Sequence, residues 1–377
     1  MWKVQLFNLN FDERERDAAA AVVEGGWLTM GERIVAFESA FAGMLGDEAQ
    51  CVAVSSGTAA LHMALLALDI EPEDEVIIPA LTFIADANVV RMVGAKPVLA
   101  DCASLTDWNV SAESIEKCIT PRTRAVIVVH YAGFPCDMPA ITALCQARGI
   151  RLIEDVAHAP GASVAGKRCG TWGDIACFSF FSNKNLSIGE GGMVATRNDA
   201  LQQRLRYLRS HGMTTLTLDR HKGRAITYDV AEVGLNYRMD EIRAAIGLVQ
   251  LDKLPAGNAR RGELTARYRS NLAESAVSIP FAALLDHAVS AYHILPVLLP
   301  ADCDRVAVIG ALKAKGIQSS IHYPPFWDFS AYEGWFDPAD APVAAEICDR
   351  ELTLPLYPTM TDEQVDCVTA ALLKSLT

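Results

Sequence analysis

Short apolar runs alternate along this chain with longer stretches whose apolar positions recur at helical spacing. Residues 12–24 and 33–45 carry the helical pattern. A strand follows at 51–55, a helix at 58–68, a strand at 75–78 and a helix at 84–93. Strands come next at 97–100, 125–129 and 151–154, with helices near 111–118 and 138–148 between them. This alternation predicts an α/β fold, a mainly parallel sheet with helices on both faces. Such a sheet presents ligand sites beyond the carboxyl ends of its strands. Two runs at 175–179 and 193–196 are close enough to form a hairpin or a reversed edge. Helices near 199–210 and 239–252 follow, and 214–228 has no period and reads as a loop. Beyond Leu254-Pro255 the pattern changes to a helix at about 257–273, strands near 293–299 and 318–321, and a helix over 361–376. We place a domain boundary there: a large domain over 1–254, with a helical N-terminal segment, and a smaller α/β domain over 255–377.

Composition acts mainly by exclusion. Of 377 residues, 51% are hydrophobic and 21% charged, which excludes disorder for the bulk of the chain. The net charge of −13 argues against nucleic acid and anionic membranes as partners. No run reaches the ~18 uncharged apolar residues of a membrane span. Residues 1–8 lack the apolar core of a signal peptide. The ten cysteines have no paired spacing and read as buried thiols of a cytoplasmic protein. Cys136 and Cys145 are too far apart for a zinc knuckle, and no His, Cys or Asp cluster has metal spacing, so no metal is expected.

Three strings carry candidate chemistry. In Ser55-Ser56-Gly57-Thr58-Ala59-Ala60-Leu61 a strand enters a helix through a small turn. Its free N–H groups and the helix dipole suit an anion, although an ordinary capped helix start has the same letters. In Ile153-Glu154-Asp155-Val156-Ala157-His158 an apolar strand ends in two carboxylates followed by a histidine. A carboxylate there suits a protonated heterocycle; a solvated strand end is the plain alternative. In Ser179-Phe180-Phe181-Ser182-Asn183-Lys184 a lysine stands between a β-run and a glycine-rich turn. Burial would lower its pKa and free an amine for Schiff-base chemistry. Together the three supply a phosphate cradle, a pyridinium partner and an amine, the set that pyridoxal 5'-phosphate (PLP) requires.

The chain resembles the DegT/DnrJ/EryC1/StrS family of PLP-dependent sugar aminotransferases over nearly its whole length. The resemblance runs through Gly26-Trp27, SGTAAL from Ser56, PALTFIADANVV from Pro79, VHYAGFPCDM over 129–138 and IEDVAHAPGA from Ile153. It continues through the Lys184 loop, Gly234-Leu235-Asn236-Tyr237-Arg238-Met239 and His322-Tyr323-Pro324. It implies the PLP-dependent transferase fold type I, like that of aspartate aminotransferase. It further implies a homodimer with shared active sites, and transfer of an amino group from glutamate or glutamine to a nucleotide-linked keto-sugar in amino-sugar biosynthesis. Lys184 would form the Schiff base and move the proton, and Asp155 would pair with the pyridine nitrogen. His158 would pack near the ring and reach its phenolic oxygen. Gly57, Thr58 and Ser179 would bind phosphate, Phe83 would cover the ring face, and Asn236 would be lent to the neighbouring subunit. Trp27, His322 and Tyr323 are candidate substrate contacts. The run 244–249 would supply apolar contact at the dimer interface. Departures fall after Gly31 (Glu32-Arg33), before Lys184 (Ser182-Asn183) and after Pro324 (Pro325-Phe326-Trp327-Asp328-Phe329), in loops that shape the acceptor pocket. A branch of the family that dehydrates keto-sugars puts His where Lys184 stands, and a regulatory protein on the same fold would need no such constellation.

Overall fold

Seven strands form the main sheet of the computed structural model, which describes residues 2–46, 48–215, 223, 227–283, 285 and 287–376. They are β1 (Gln50–Val54), β2 (Glu75–Pro79), β3 (Lys96–Ala100), β4 (Thr123–Val129), β5 (Arg151–Asp155), β8 (Ile175–Ser179) and β9 (Gly192–Thr196), with a small hairpin of β6 (Ser163–Val164) and β7 (Lys167–Arg168) between β5 and β8. The spatial order is β1-β9-β8-β5-β4-β2-β3. β3, β2, β4, β5 and β8 are mutually parallel, while β9 runs antiparallel to both β8 and β1. The expected hairpin is present, but the reversed strand is not at the edge. β1 pairs along its other side, and all five residues of β9 are buried.

Both faces of this sheet are covered, so its strands read as continuous apolar runs whose alternate side chains enter different cores. Val52, Val54, Ile153, Ile175 and Cys177 face one core. There they meet α3 (Gly57–Ala67) and α4 (Ala85–Met92). Cys51, Ala53, Ala176 and Phe178 face another, beneath α2 (Glu32–Leu45). Phe37 and Phe41 of α2 lock onto Phe178 and Phe180 with ring centroids 4.8–5.5 Å apart. Each buried ring contributes roughly 2–3 kcal/mol. The remaining helices of this part are α1 (Glu13–Gly25), α5 (Ala112–Glu116), α6 (Met138–Arg148) and α7 (Asp199–Arg209).

The helices expected at 239–252 and 257–273 are one helix, α8 (Glu241–Leu272), which runs through Pro255. The boundary drawn at 254/255 therefore falls inside a helix. Pro255 is exposed, so water can satisfy the carbonyl that loses its donor, while buried Leu254 and Gly257 hold the helix on course. The run 244–249 packs largely on its own chain: Ala244, Ala245 and Gly247 are buried, and a Cβ on Gly247 would fall 2.7 Å from Phe37. Ile246, Leu248 and Val249 are half-buried.

After α8 come β10 (Leu295–Leu298), α9 (Arg305–Ala314), α10 (Pro342–Arg350), β11 (Glu351–Leu354) and α11 (Asp362–Ser375). β10 and β11 pair antiparallel. No strand forms at 318–321. Ser320 makes a single bridge to Thr353, then His322 N–H turns to Glu351 and Pro324-Pro325 ends any ladder. The loop expected at 214–228 lies largely outside the described residues. At its ends Thr214 N–H donates to Asp229 O at 3.0 Å. Among the described residues no helix is long and apolar enough to cross a membrane. All ten cysteines are free thiols, and seven of them are buried.

Candidate active site

The carboxyl ends of β1, β2, β4, β5 and β8 converge on a cavity of about 360 Å³. Each strand delivers one part of its wall: Ser56, Gly57 and Thr58 from β1, Thr82 and Phe83 from β2, Val129 from β4, Asp155 and His158 from β5, Ser179 and Lys184 from β8. His322 and Tyr323 close it from the C-terminal part of the chain.

The turn after β1 presents free N–H groups to the cavity in a geometry that suits an anion. Ser56 caps α3 by accepting from Ala59 N–H at 3.0 Å, so its hydroxyl serves the helix. The N–H groups of Gly57 and Thr58 open the helix, where no intrahelical acceptor exists, and the dipole adds partial positive charge. Gly57 is required there, because a Cβ would lie 2.8 Å from the Ser179 side chain. That contact sets Ser179 beside the turn.

Alternation along β5 separates its two terminal carboxylates. Glu154 points away from the cavity and accepts from the N–H groups of Gly170, Trp172 and Gly173 at 2.7–2.8 Å. It also contacts His130 Nε2 at 3.2 Å, so it organises the following loop. Asp155 lines the cavity, with Oδ1 accepting from Ala157 N–H at 2.8 Å. Burial raises its pKa, while that N–H and the Lys184 charge oppose the rise.

Lys184 follows β8 in a loop held at both ends. Its own N–H donates to Phe181 O, and Phe180 anchors the loop in the core beneath α2. Next to it Asn185 donates to Asn258 and Ala291 O at 2.8 Å, and its Oδ1 lies 2.8 Å from His293 Nδ1. Loss of water around the Lys184 ammonium pulls its pKa from 10.5 to about 8, against the pull of Asp155. An amine so held is largely ionised at neutral pH yet readily deprotonated.

His158 is buried, and both ring nitrogens have protein partners: Ala132 N–H at Nδ1 and Tyr323 Oη at Nε2. Both His158 and Tyr323 line the cavity. Phe83 is no core aromatic: it precedes α4, is 53% exposed at the cavity and lies 5.6 Å from the Tyr323 ring. His322 has its pKa lowered to about 4 by burial and by the Lys184 charge, and its Nδ1 meets Thr353 Oγ1 at 2.9 Å. Two expected residues do not join this wall. Trp27 donates to Met30 O at 3.2 Å and packs on Gly31, and Asn236 is exposed on a bridge to Ser210. Sequence reasoning missed Thr82, although it precedes Phe83 in a quoted motif, and Asn185, whose role depends on contacts far along the chain.

Among the described residues no three His, Cys, Asp or Glu side chains are placed to hold a metal ion. The donor set fits PLP instead: an N–H cradle for a phosphate, a buried carboxylate, a lysine amine and an aromatic face around one space.

The model of the DegT/DnrJ/EryC1/StrS aminotransferase family matches residues 10–373. An uncharacterized protein of Methanocaldococcus jannaschii, MJ1066, is 36% identical, over 96% of this chain and 95% of that protein. The aminotransferase TlmJ of Streptoalloteichus hindustanus superposes with a TM-score of 0.90 at 34% identity, covering 100% of this chain and 99% of TlmJ. Spr1654 of Streptococcus pneumoniae, a candidate sugar aminotransferase solved in its PMP form, superposes at 0.91 with 28% identity over 97% of each chain. With the cavity's lysine, carboxylate and helix start in the family's order, the chain belongs to the DegT/DnrJ/EryC1/StrS aminotransferase family.

Proposed function

We propose that this aminotransferase takes an amino group from glutamate or glutamine and delivers it to a nucleotide-linked keto-sugar, in the cytoplasm, with PLP as the carrier. The product would be an amino sugar for a surface polysaccharide or a secondary metabolite. The observation that carries this reading is the pairing, across one cavity, of a Lys184 amine held near 8 with the buried Asp155 carboxylate. Bound PLP supplies an electron sink that stabilises a carbanion at the carbon bearing the amine. Asp155 would hold the proton on the ring nitrogen that keeps this sink effective. Lys184 Nζ would anchor the cofactor between turnovers and, once released, take the proton from the donor carbon and pass it to the cofactor. Gly57 N–H, Thr58 and Ser179 Oγ would bind the phosphate, and Phe83 would cover the ring. Trp27, His322 and Tyr323 remain our candidates for substrate contact. Asn236, exposed and outside its own cavity wall, would reach the phosphate of a second subunit in a homodimer.

The test is optical and chemical. Purified protein with PLP should be yellow, glutamate should bleach it, and a panel of keto-sugar nucleotides should then restore the colour with formation of an amino sugar. Lys184→Ala should abolish turnover. Amino transfer above a trace in that variant, or a wild-type protein indifferent to every amino donor, would overturn the proposal.

A further inference from the structure

Glu351 opens β11 with its side chain fully buried behind His322. The antiparallel bridge between Ser320 and Thr353 brings His322 opposite Glu351. There the ladder stops, and His322 N–H donates to Glu351 Oε2 at 2.8 Å. The other carboxyl oxygen, Oε1, lies 2.5 Å from Thr353 Oγ1, and Thr353 Oγ1 lies 2.9 Å from His322 Nδ1. A carboxyl, a hydroxyl and an imidazole therefore stand in series. His322 lines the cavity, and among the described residues its Nε2 has no protein partner. Tyr131 Oη donates to His322 O and holds the backbone of the same residue.

The hydroxyl has one hydrogen, so the series has two complete arrangements. With Glu351 neutral, its proton is on Oε1, because Oε2 accepts from His322 N–H. Glu351 then donates to Thr353, Thr353 donates to Nδ1, and the imidazole keeps its hydrogen on Nε2. With Glu351 ionised, Thr353 donates to Oε1, Nδ1–H donates to Thr353, and Nε2 offers a lone pair. Between the two, the Oε1 hydrogen passes to Thr353, the Thr353 hydrogen passes to Nδ1, and Nε2 releases its own to solvent. One proton leaves in all. Burial raises the pKa of Glu351 to about 8, against the Thr353 hydroxyl, the His322 N–H and the Arg305 guanidinium at the start of α9, which donates to Glu351 O at 3.0 Å. Tyr131, Tyr323 and Cys348 of α10 feel its charge, and burial keeps all three neutral in that range. His322 is neutral there as well, with its pKa near 4.

We infer that Glu351 is a positioning residue for His322: through the Thr353 hydroxyl it sets which ring nitrogen carries the hydrogen, and so whether the cavity wall offers a donor or a lone pair. The ligand that suits Nε2–H is a carboxylate oxygen of the amino donor, a charged acceptor for a neutral N–H. Glu351 touches no substrate. The identity of that ligand rests on the aminotransferase reading above, whereas the relay does not.

Nitrogen NMR of histidine-labelled protein reads the tautomer directly, with His322→Gln identifying the signal. In wild type His322 should carry its hydrogen on Nε2 below about pH 8 and on Nδ1 above it. Glu351→Gln, whose amide donates to Thr353 at every pH, should keep Nε2–H throughout. Thr353→Val should abolish the transition by cutting the series. Lys184 titrates in the same range, so the transition must survive in Lys184→Ala. In glutamate kinetics, KM of wild type relative to Glu351→Gln should rise about tenfold as pH passes 8, the size of one hydrogen bond to a charged group, with kcat nearly unmoved. A wild-type tautomer constant across that pH, or a transition that persists in Glu351→Gln or Thr353→Val, would overturn the relay. A tautomer change without the KM change would overturn the carboxylate contact. If Thr353→Val does not fold, Glu351→Gln decides. A wild type indifferent to glutamate refutes the aminotransferase reading instead, while the NMR transition still reports the relay.

Discussion

Tyr323 Oη and His158 Nε2 lie 3.0 Å apart, a hydrogen bond that ties the C-terminal part of the chain to the end of β5. Its direction follows from the other side of the ring. Ala132 N–H reaches His158 Nδ1 at 3.3 Å, so Nδ1 is an acceptor. Burial holds His158 well below the usual imidazole range, so the ring is neutral and its one proton sits on Nε2. Nε2–H therefore donates to Tyr323, and the phenol keeps its own hydrogen for the cavity.

Tyr323→Phe removes that donor while keeping the ring against Phe83. We expect the fold to be unchanged and the half-reaction with the amino donor to slow by about ten- to hundredfold, the range for one directed hydrogen bond to a charged or polarising group. Stopped-flow absorbance measures it. A wild-type rate would leave Tyr323 as packing only.

Asp155→Asn should leave folding and PLP binding largely intact and cost orders of magnitude in rate. An amide cannot hold charge against a protonated ring nitrogen, so the electron sink weakens. Rapid-quench measurement of the donor half-reaction is the check. A rate close to wild type would mean that Asp155 is a strand end with no part in the chemistry.

Most of the sheet was legible because both its faces are buried. Apolar runs such as 75–78 and 151–154 match β2 and β5 to within a residue, and the turn after β1, Asp155 and Lys184 line one cavity. What was not legible depends on distant partners. Pro255 reads as a break because local rules make it one, yet packing of Leu254 and Gly257 carries α8 through. Residues 318–321 carry a strand-like pattern, but they find only isolated partners, Val4 for Gln318 and Thr353 for Ser320, and no continuous ladder. Asp86 is a charged residue in the first turn of α4, and nothing local says that it faces inward. The pairing of His158 with Tyr323 spans 165 residues of sequence.

The lowered pKa of Lys184 makes a stability prediction for the apoenzyme. Between about 8 and 10.5 the unfolded chain carries a proton on this amine that the folded chain has lost. Stability from this group therefore rises with pH across that window, and below about 8 the penalty of a buried ammonium is fully present. The shift is worth about 3 kcal/mol, less whatever attraction to Asp155 is lost on substitution. Apo Lys184→Met should thus be more stable than apo wild type at pH 7, and the gap should close toward pH 10.5. Urea unfolding at the two pH values measures it. A variant less stable at neutral pH would show that the amine is well solvated or firmly paired.

The shared site is the remaining prediction. Asn236 is exposed and takes no part in its own cavity wall. Beside it in sequence Val230 and Val233 are 53% and 94% exposed, a more open apolar surface than the largely buried run 244–249. We place Asn236 at a partner's phosphate cradle, its amide donating where Gly57 and Thr58 supply their N–H groups. Two inactive proteins then complement each other. Asn236→Trp must first be shown to cripple the enzyme while leaving its fold intact. Mixed with Lys184→Ala, it should form hybrid dimers in which one site joins an intact Lys184 to an intact Asn236. The other site carries both lesions. Random reassociation of equal amounts makes half of the dimers hybrid, so activity should return to about a quarter of the wild-type value per subunit, with sites acting independently. Refolding the mixture from denaturant and assaying amino transfer measures it, with native mass spectrometry confirming the hybrids. Confirmed hybrids without activity, or a monomer in sedimentation at assay concentration, would exclude a site shared through Asn236.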